Sequence, residues 1–142
     1  MLTLAIIKPD AVAARASGKI LAHLEQAGFT VRAARLVRLT TRRAEEFYAV
    51  HRERPFFRSL VTFMTSGPAL ALALEREDAV AVLRDVIGAT DPAEAKPGTI
   101  RKLYAQSKER NAIHASDSPE NALQEVGFFF PDAELTQLRS GQ

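Results

Sequence analysis

The chain has 142 residues, 46% of them hydrophobic, enough for one domain (1–142) with a buried core. Nineteen basic residues against 17 acidic ones leave a net charge of +2, too slight a surplus for a nucleic-acid binder. The lack of cysteine excludes a disulfide frame, a thiolate metal site and a thiol nucleophile.

The first apolar run, Leu2 to Ile7, reads as a central strand halted by Pro9. It is too short for a signal peptide, and no apolar run approaches the ~20 residues that span a bilayer. A cytoplasmic protein is therefore expected. Ile20, Leu21 and Leu24 mark a helix over Ser17 to Ala27, with Gly28 as its stop. From Phe29 to Leu39 the odd positions are mostly apolar, which predicts a second strand. Thr40-Thr41 is a cap for a helix carrying Glu45, Glu46, Phe47, Tyr48 and Val50.

Phe57, Leu60, Val61 and Met64 follow helical spacing, and Ser66-Gly67-Pro68 turns the chain. Ala69 to Leu74 alternates Ala and Leu, as a strand covered on both faces would. Ala79, Val82, Leu83, Val86 and Ile87 make the clearest helical stripe, with Asp78 as the expected N-cap and Gly88 as the stop. Ala89 to Arg110 is a long irregular segment with one helical turn around Ile100 to Tyr104; such a loop inside a compact domain is usually functional. Ala112-Ile113 then reads as a short strand leading into His114. Ser118-Pro119-Glu120 opens a helix to about Val126, and the tail from Pro131 reads as one more turn and an unanchored end. The order βαββαβ predicts an α+β, ferredoxin-like fold: a four-stranded antiparallel sheet with helices packed on it and a long inserted loop.

His114 stands among small residues at a strand end, a placement suited to a reacting group, although a lone histidine is more often structural. Lys8, Arg84 and Arg101 are individually ordinary surface cations. Together, near strand and helix ends and in a long loop, they suit a polyanion, since Arg offers phosphate a planar fork and Lys a point charge. His51 lies among charges and reads as surface; His23 reads as the polar flank of its helix. No GxxxxGK(S/T) loop occurs, and no His/Asp/Glu cluster has structural-zinc spacing. Any phosphate chemistry would use side chains and a phosphate-bound metal.

Ile7-Lys8-Pro9-Asp10, Arg54-Pro55-Phe56-Phe57, Ser66-Gly67-Pro68, Gly88-Ala89-Thr90-Asp91-Pro92, Lys96-Pro97-Gly98-Thr99-Ile100-Arg101 and Asn111-Ala112-Ile113-His114-Ala115-Ser116-Asp117-Ser118 closely resemble nucleoside diphosphate kinases. The motifs occur in that family's order and at its intervals, from the first strand to Glu125 and beyond. The resemblance implies transfer of a γ-phosphoryl group from a nucleoside triphosphate to a nucleoside diphosphate, by ping-pong through a phosphohistidine. It makes His114 the nucleophile through Nδ1. Glu125 and Tyr48 match residues that orient and polarise it, and Ser116 a supporting hydroxyl. Lys8, Arg84, Thr90 and Arg101 match the phosphate-binding set, and Asn111 with Lys8 the contacts to the ribose. Phe56 matches the aromatic on which the base stacks, with Leu60 beside it. The implied cofactor is Mg²⁺, held chiefly by the phosphates, with Asp117 reaching it through water. The implied partners are nucleoside di- and triphosphates and further copies of the chain, in a tetramer or hexamer.

Two positions depart from the family pattern. Ala115 replaces a common Gly and requires a negative φ there. Lys108 replaces an apolar residue opposite Phe56, so its methylene stem would cover the base. Two other classes of function compete: a nucleotide-binding regulator without turnover, which phosphoenzyme formation would exclude, and a ferredoxin-like nucleic-acid module, suggested only by the basic isoelectric point.

Overall fold

The fold was read from a computed structural model that describes residues 1–135. The end of the expected loose tail lies outside them.

Strand β1 (Leu2–Ile7) runs through the middle of the sheet. It pairs antiparallel with β3 (Ala69–Glu75) on one side and β4 (Ile113–Ala115) on the other. Strand β2 (Thr30–Val37) pairs antiparallel with β3, giving the order β2-β3-β1-β4 that the ferredoxin-like plan requires. Both faces are covered, which is why β1 and β3 read as apolar runs without a polar side. Leu4 and Ile6 enter one core with Ala44, Tyr48, Phe57, Val61 and Phe129. Ala5 and Ile7 enter the other with Ile20, Leu24, Leu83, Ile87 and Ile100.

The first core is closed by α3 (Thr41–Phe47), α4 (Phe57–Met64) and α7 (Pro119–Phe129). The second is closed by α2 (Ser17–Gln26), α5 (Ala79–Ile87) and the short α6 (Ile100–Tyr104). Three helix starts, those of α3, α6 and α7, are capped by their own local side chains. Thr40 Oγ1 accepts from Arg43 N at 3.1 Å, and Ser118 Oγ from Asn121 N at 3.1 Å, each satisfying an amide that has no partner within the helix.

Several expectations need correction. Asp78 does not cap α5: its backbone is left-handed (φ 52°), whereas a capping side chain needs an extended backbone to reach the first-turn amides. Strand β2 is shorter than Phe29 to Leu39, with both of those residues buried beyond its ends. A further helix, α1 (Pro9–Ala13), follows β1 directly; five residues are too few to show a period. Helix α7 continues past Val126 to Phe129.

Candidate active site

The placement of His114 begins with the pairing of β1 and β4. His114 lies opposite Ile6, and cross-strand partners project to the same face, so its ring enters the Leu4/Ile6 side under α3 and α7. It sits in the middle of its strand rather than at the end, and it is not surrounded by small residues alone. The Phe47 ring meets it edge-on with centroids 5.4 Å apart, and Tyr48 at 6.2 Å. Those aromatics come from the end of α3 and the residue after it, distant in sequence, so local reading could not supply them.

Helix α7 brings Glu125 to the ring. His114 Nε2 lies 2.7 Å from Glu125 Oε1, and the Ser116 hydroxyl donates to the same oxygen at 2.8 Å. A carboxylate accepts hydrogen bonds, so Nε2 carries the proton and Nδ1 keeps its lone pair. The ring is 18% exposed. Desolvation by burial moves its pKa below the ordinary 6.5, with Lys8 and Arg101 adding to that, while Glu125 opposes it through its hydrogen bond and charge. The imidazole is neutral at pH 7, as a nitrogen nucleophile must be.

His114 lines a cavity of about 500 Å³ together with Lys8, Tyr48, His51, Phe56, Leu60, Thr90, Arg101, Lys108, Glu109 and Asn111. Two of its cations are buried, Lys8 at 6% and Arg101 at 5% exposure, while Lys108 is exposed. Lys8 is the N-cap residue of α1, and its ammonium donates to Asn111 Oδ1 at 2.8 Å. Burial, assisted by the positive Arg101, brings its pKa down to about 8, against the pull of Asp10 and Glu109. Arg101 lies in the first turn of α6. Its Nη1 donates to Gly88 O at 3.1 Å and its Nη2 to Ile113 O at 2.7 Å, so the guanidinium is fixed from two sides. Burial and then Arg84 lower its pKa to about 10, and it stays charged at neutral pH.

Gly88 makes this arrangement possible. Its φ is 90°, and a Cβ there would fall 2.6 Å from Thr99 Oγ1, the N-cap of α6. The Tyr48 hydroxyl is buried in the lining with no hydrogen-bond partner among the described residues. Burial, and then the charge on Glu125, push its pKa upward, so it remains a neutral donor.

The mouth is apolar and half open. Phe56 is 47% exposed and Leu60 packs at the edge of the core. Across from them Ser59 Oγ donates to Glu109 Oε2 at 2.5 Å, joining α4 to the segment that holds Lys108 and Asn111. His51, expected at the surface, is a lining residue, and its ring lies 5.4 Å from that of Phe56. Its charged sequence neighbours gave no signal of that contact.

Four expected residues stand outside the lining: Glu125 and Ser116, which hydrogen-bond to each other beside His114, and Arg84 and Asp117. Arg84 borders a neighbouring cavity that shares Thr90 with this one, and donates to Ala115 O at 3.3 Å. Asp117 is exposed and accepts from Asn121 Nδ2 at 2.6 Å. Ala115 is not among the described residues with positive φ, so the Ala-for-Gly departure is accommodated. No group of three or more His, Asp or Glu among the described residues could hold a metal ion, and no helix among them is long and apolar enough to cross a membrane.

A sequence model of the nucleoside diphosphate kinase family matches residues 2–135. The nucleoside diphosphate kinase of Halorhodospira halophila is 57% identical over 133 residues, covering 94% of both chains. That of Chlorobium limicola is 54% identical over 136 residues, covering 96% of this chain and 97% of the relative. Among solved structures, the Aquifex aeolicus nucleoside diphosphate kinase superposes with a TM-score of 0.92 at 51% identity, covering 94% of this chain and 96% of that one. A Halobacterium salinarum nucleoside diphosphate kinase in complex with CDP gives 0.90 at 38% identity, covering 94% and 90%.

Proposed function

The chain belongs to the nucleoside diphosphate kinase family, and we propose that it transfers a γ-phosphoryl group between nucleotides through His114. One observation carries the assignment of the residue: the 2.7 Å contact between His114 Nε2 and Glu125, which leaves Nδ1 as the free nucleophile on a ring lining a cationic cavity. In the first half-reaction Nδ1 attacks the γ-phosphorus of a nucleoside triphosphate. The bond from phosphorus to the β–γ bridging oxygen breaks, and the diphosphate leaves with that electron pair. The proton stays on Nε2, donated to the Glu125 carboxylate, whose negative charge balances the positive charge that the phosphorylated ring acquires. In the second half-reaction a terminal phosphate oxygen of another diphosphate attacks the phosphorus, and His114 recovers its lone pair.

Phosphoryl transfer asks chiefly for alignment and charge stabilisation. Arg101, held by two carbonyls, is assigned to the group in flight, with the Tyr48 hydroxyl as a neutral donor beside it. Lys8 and Asn111 are assigned to the ribose hydroxyls and adjoining phosphate, and Thr90 and Arg84 to the outer phosphates. Phe56, Leu60 and the stem of Lys108 are assigned to the base. The divalent cation is proposed to be Mg²⁺. A lining with two buried cations and one carboxylate, Glu109, fits an ion that arrives on the phosphates rather than on the protein, with Asp117 reached through water. Bound there, the ion would neutralise phosphate charge. The cytoplasm, where nucleoside triphosphates are made, is the proposed compartment, and a tetramer or hexamer the proposed assembly.

The test is incubation with γ-labelled ATP and Mg²⁺, followed by a GDP chase. The protein should take up label, and GDP should remove it as GTP. Label that GDP cannot discharge, or none at all, would contradict a ping-pong phosphotransferase.

A further inference from the structure

Between Asn111 and His114 the backbone takes a form that its residue does not favour. Ala112 is fully buried with φ 74°, a left-handed conformation in which an L residue's Cβ crowds the following carbonyl. Ile113 N donates to Asn111 O at 2.9 Å across it, the hydrogen bond of a γ-turn of the strained hand. Such a turn persists only where its surroundings hold it. Here the hold comes from the segment that follows β1, the strand paired with β4. Asp10 Oδ2 accepts from Ala112 N at 3.1 Å, and Lys8 N donates to Ala112 O at 2.8 Å.

The other carboxylate oxygen, Asp10 Oδ1, is buried with no hydrogen-bond partner among the described residues. Burying a half-satisfied carboxylate is costly, which suits a group kept for what it holds rather than for its own solvation. The turn sits directly between two cavity residues: Asn111, which takes the Lys8 ammonium, precedes it, and Ile113-His114 follows it.

We propose that Asp10 is a positioning residue for phosphoryl transfer, holding the Ala112 turn so that Lys8, Asn111 and His114 share one geometry. The proposal rests on the phosphohistidine reading. Asp10 reaches the chemistry only through Ala112. Because the turn is strained, its release would displace the nucleophile and the ribose contacts together, and a displacement near 1 Å can cost about a hundredfold in rate.

The experiment measures both the rate constant and the amplitude of labelling by γ-labelled ATP, which separates misalignment from loss of folded protein. Asp10→Ala should label to near-normal amplitude with a rate constant roughly tenfold to a hundredfold lower. Asp10→Asn, which keeps a carbonyl oxygen to accept from Ala112 N, should stay within a few-fold of the parent at pH 7. Ala112→Gly should also stay within a few-fold, since glycine adopts φ > 0 without being held. In the Gly background Asp10→Ala should then cost about tenfold less than in the Ala background. Equal losses in the two backgrounds, an Asp10→Asn as slow as Asp10→Ala, or Asp10→Ala at the parent rate would each overturn the proposal. Loss of folding in both backgrounds would assign Asp10 to stability and overturn it as well. A parent protein that takes no label would instead remove the phosphohistidine reading, and this role with it.

Discussion

Lys8, Arg101 and His114 are each held out of water, and burial lowers the pKa of each for the same reason: it disfavours the protonated, charged form. The consequences for pH differ. In the proposed reaction neutral His114 is the reactive form, so the rate of phosphoenzyme formation should fall less on acidification to 6.5 than it would for an ordinary imidazole, which is half protonated there. The phosphate contact proposed for Lys8 requires its charged form, and with its pKa near 8 the kcat/KM for nucleotide should decline as pH rises through about 8. A pH series of single-turnover labelling reads both limbs. His114 also links stability to pH. Below 6.5 the unfolded chain binds a proton that the folded ring resists, so stability should fall as the solution is acidified from 6.5 down to the folded pKa. Thermal melts of the parent against His114→Gln should show that loss in the parent only. Arg101→Ala should lower kcat by roughly 10²–10³ with a smaller change in diphosphate affinity, as when one transition-state donor is removed. Normal kcat with a raised KM would place the guanidinium elsewhere.

The site is assembled from side chains of segments distant in sequence, and this decided what could be read in advance. Helix α7 was legible because Ser118, Pro119 and Glu120 announce its start locally, and α5 because its stripe repeats over two turns. The γ-turn at Ala112, the aromatic wall from α3 and the turning-in of His51 depend on contacts between distant segments and left no local trace. The residues proposed for catalysis and binding rest instead on motifs kept in a known order. The link between α4 and the 105–111 segment has the same long-range character. Ser59 to Glu109 ties the Phe56 side of the mouth to the Lys108 side, and both line the base end of the cavity. Glu109→Ala should therefore raise KM for nucleotides several-fold while leaving kcat within about twofold, because it loosens binding common to ground and transition states. Equal loss in kcat would place Glu109 in the chemistry. Gly88→Ala should be far more damaging than a surface Gly→Ala change. It forces a Cβ against Thr99 in a left-handed backbone and displaces the carbonyl that anchors Arg101.

Across the whole molecule, the sheet supports a cavity whose buried end is proposed for the phosphates and whose open end is proposed for the base. The proposed phosphate end is built on β1, β4 and the starts of α1 and α6; the proposed base end rests on Phe56, Leu60 and the Lys108 stem. Stacking surfaces tolerate any base, since every base has a π-face, whereas strong discrimination needs buried polar groups that the wrong ligand leaves unpaired. ATP, GTP, CTP and UTP should therefore differ in kcat/KM by no more than roughly two powers of ten, with purines leading, and a 3′-deoxy nucleotide should fall well below its parent. A donor series at fixed acceptor and Mg²⁺ checks this; a preference of about four powers of ten for one base would contradict the open base end. The central claim is narrower: one nitrogen of one histidine carries the phosphoryl group, and Glu125 decides which. Phosphorylating ¹⁵N-histidine-labelled protein with ATP and reading the phosphorus–nitrogen coupling by NMR tests it directly. The account predicts a phosphate on Nδ1 of His114, absent from His114→Ala. A phosphate on Nε2, or one that persists in that variant, would contradict it.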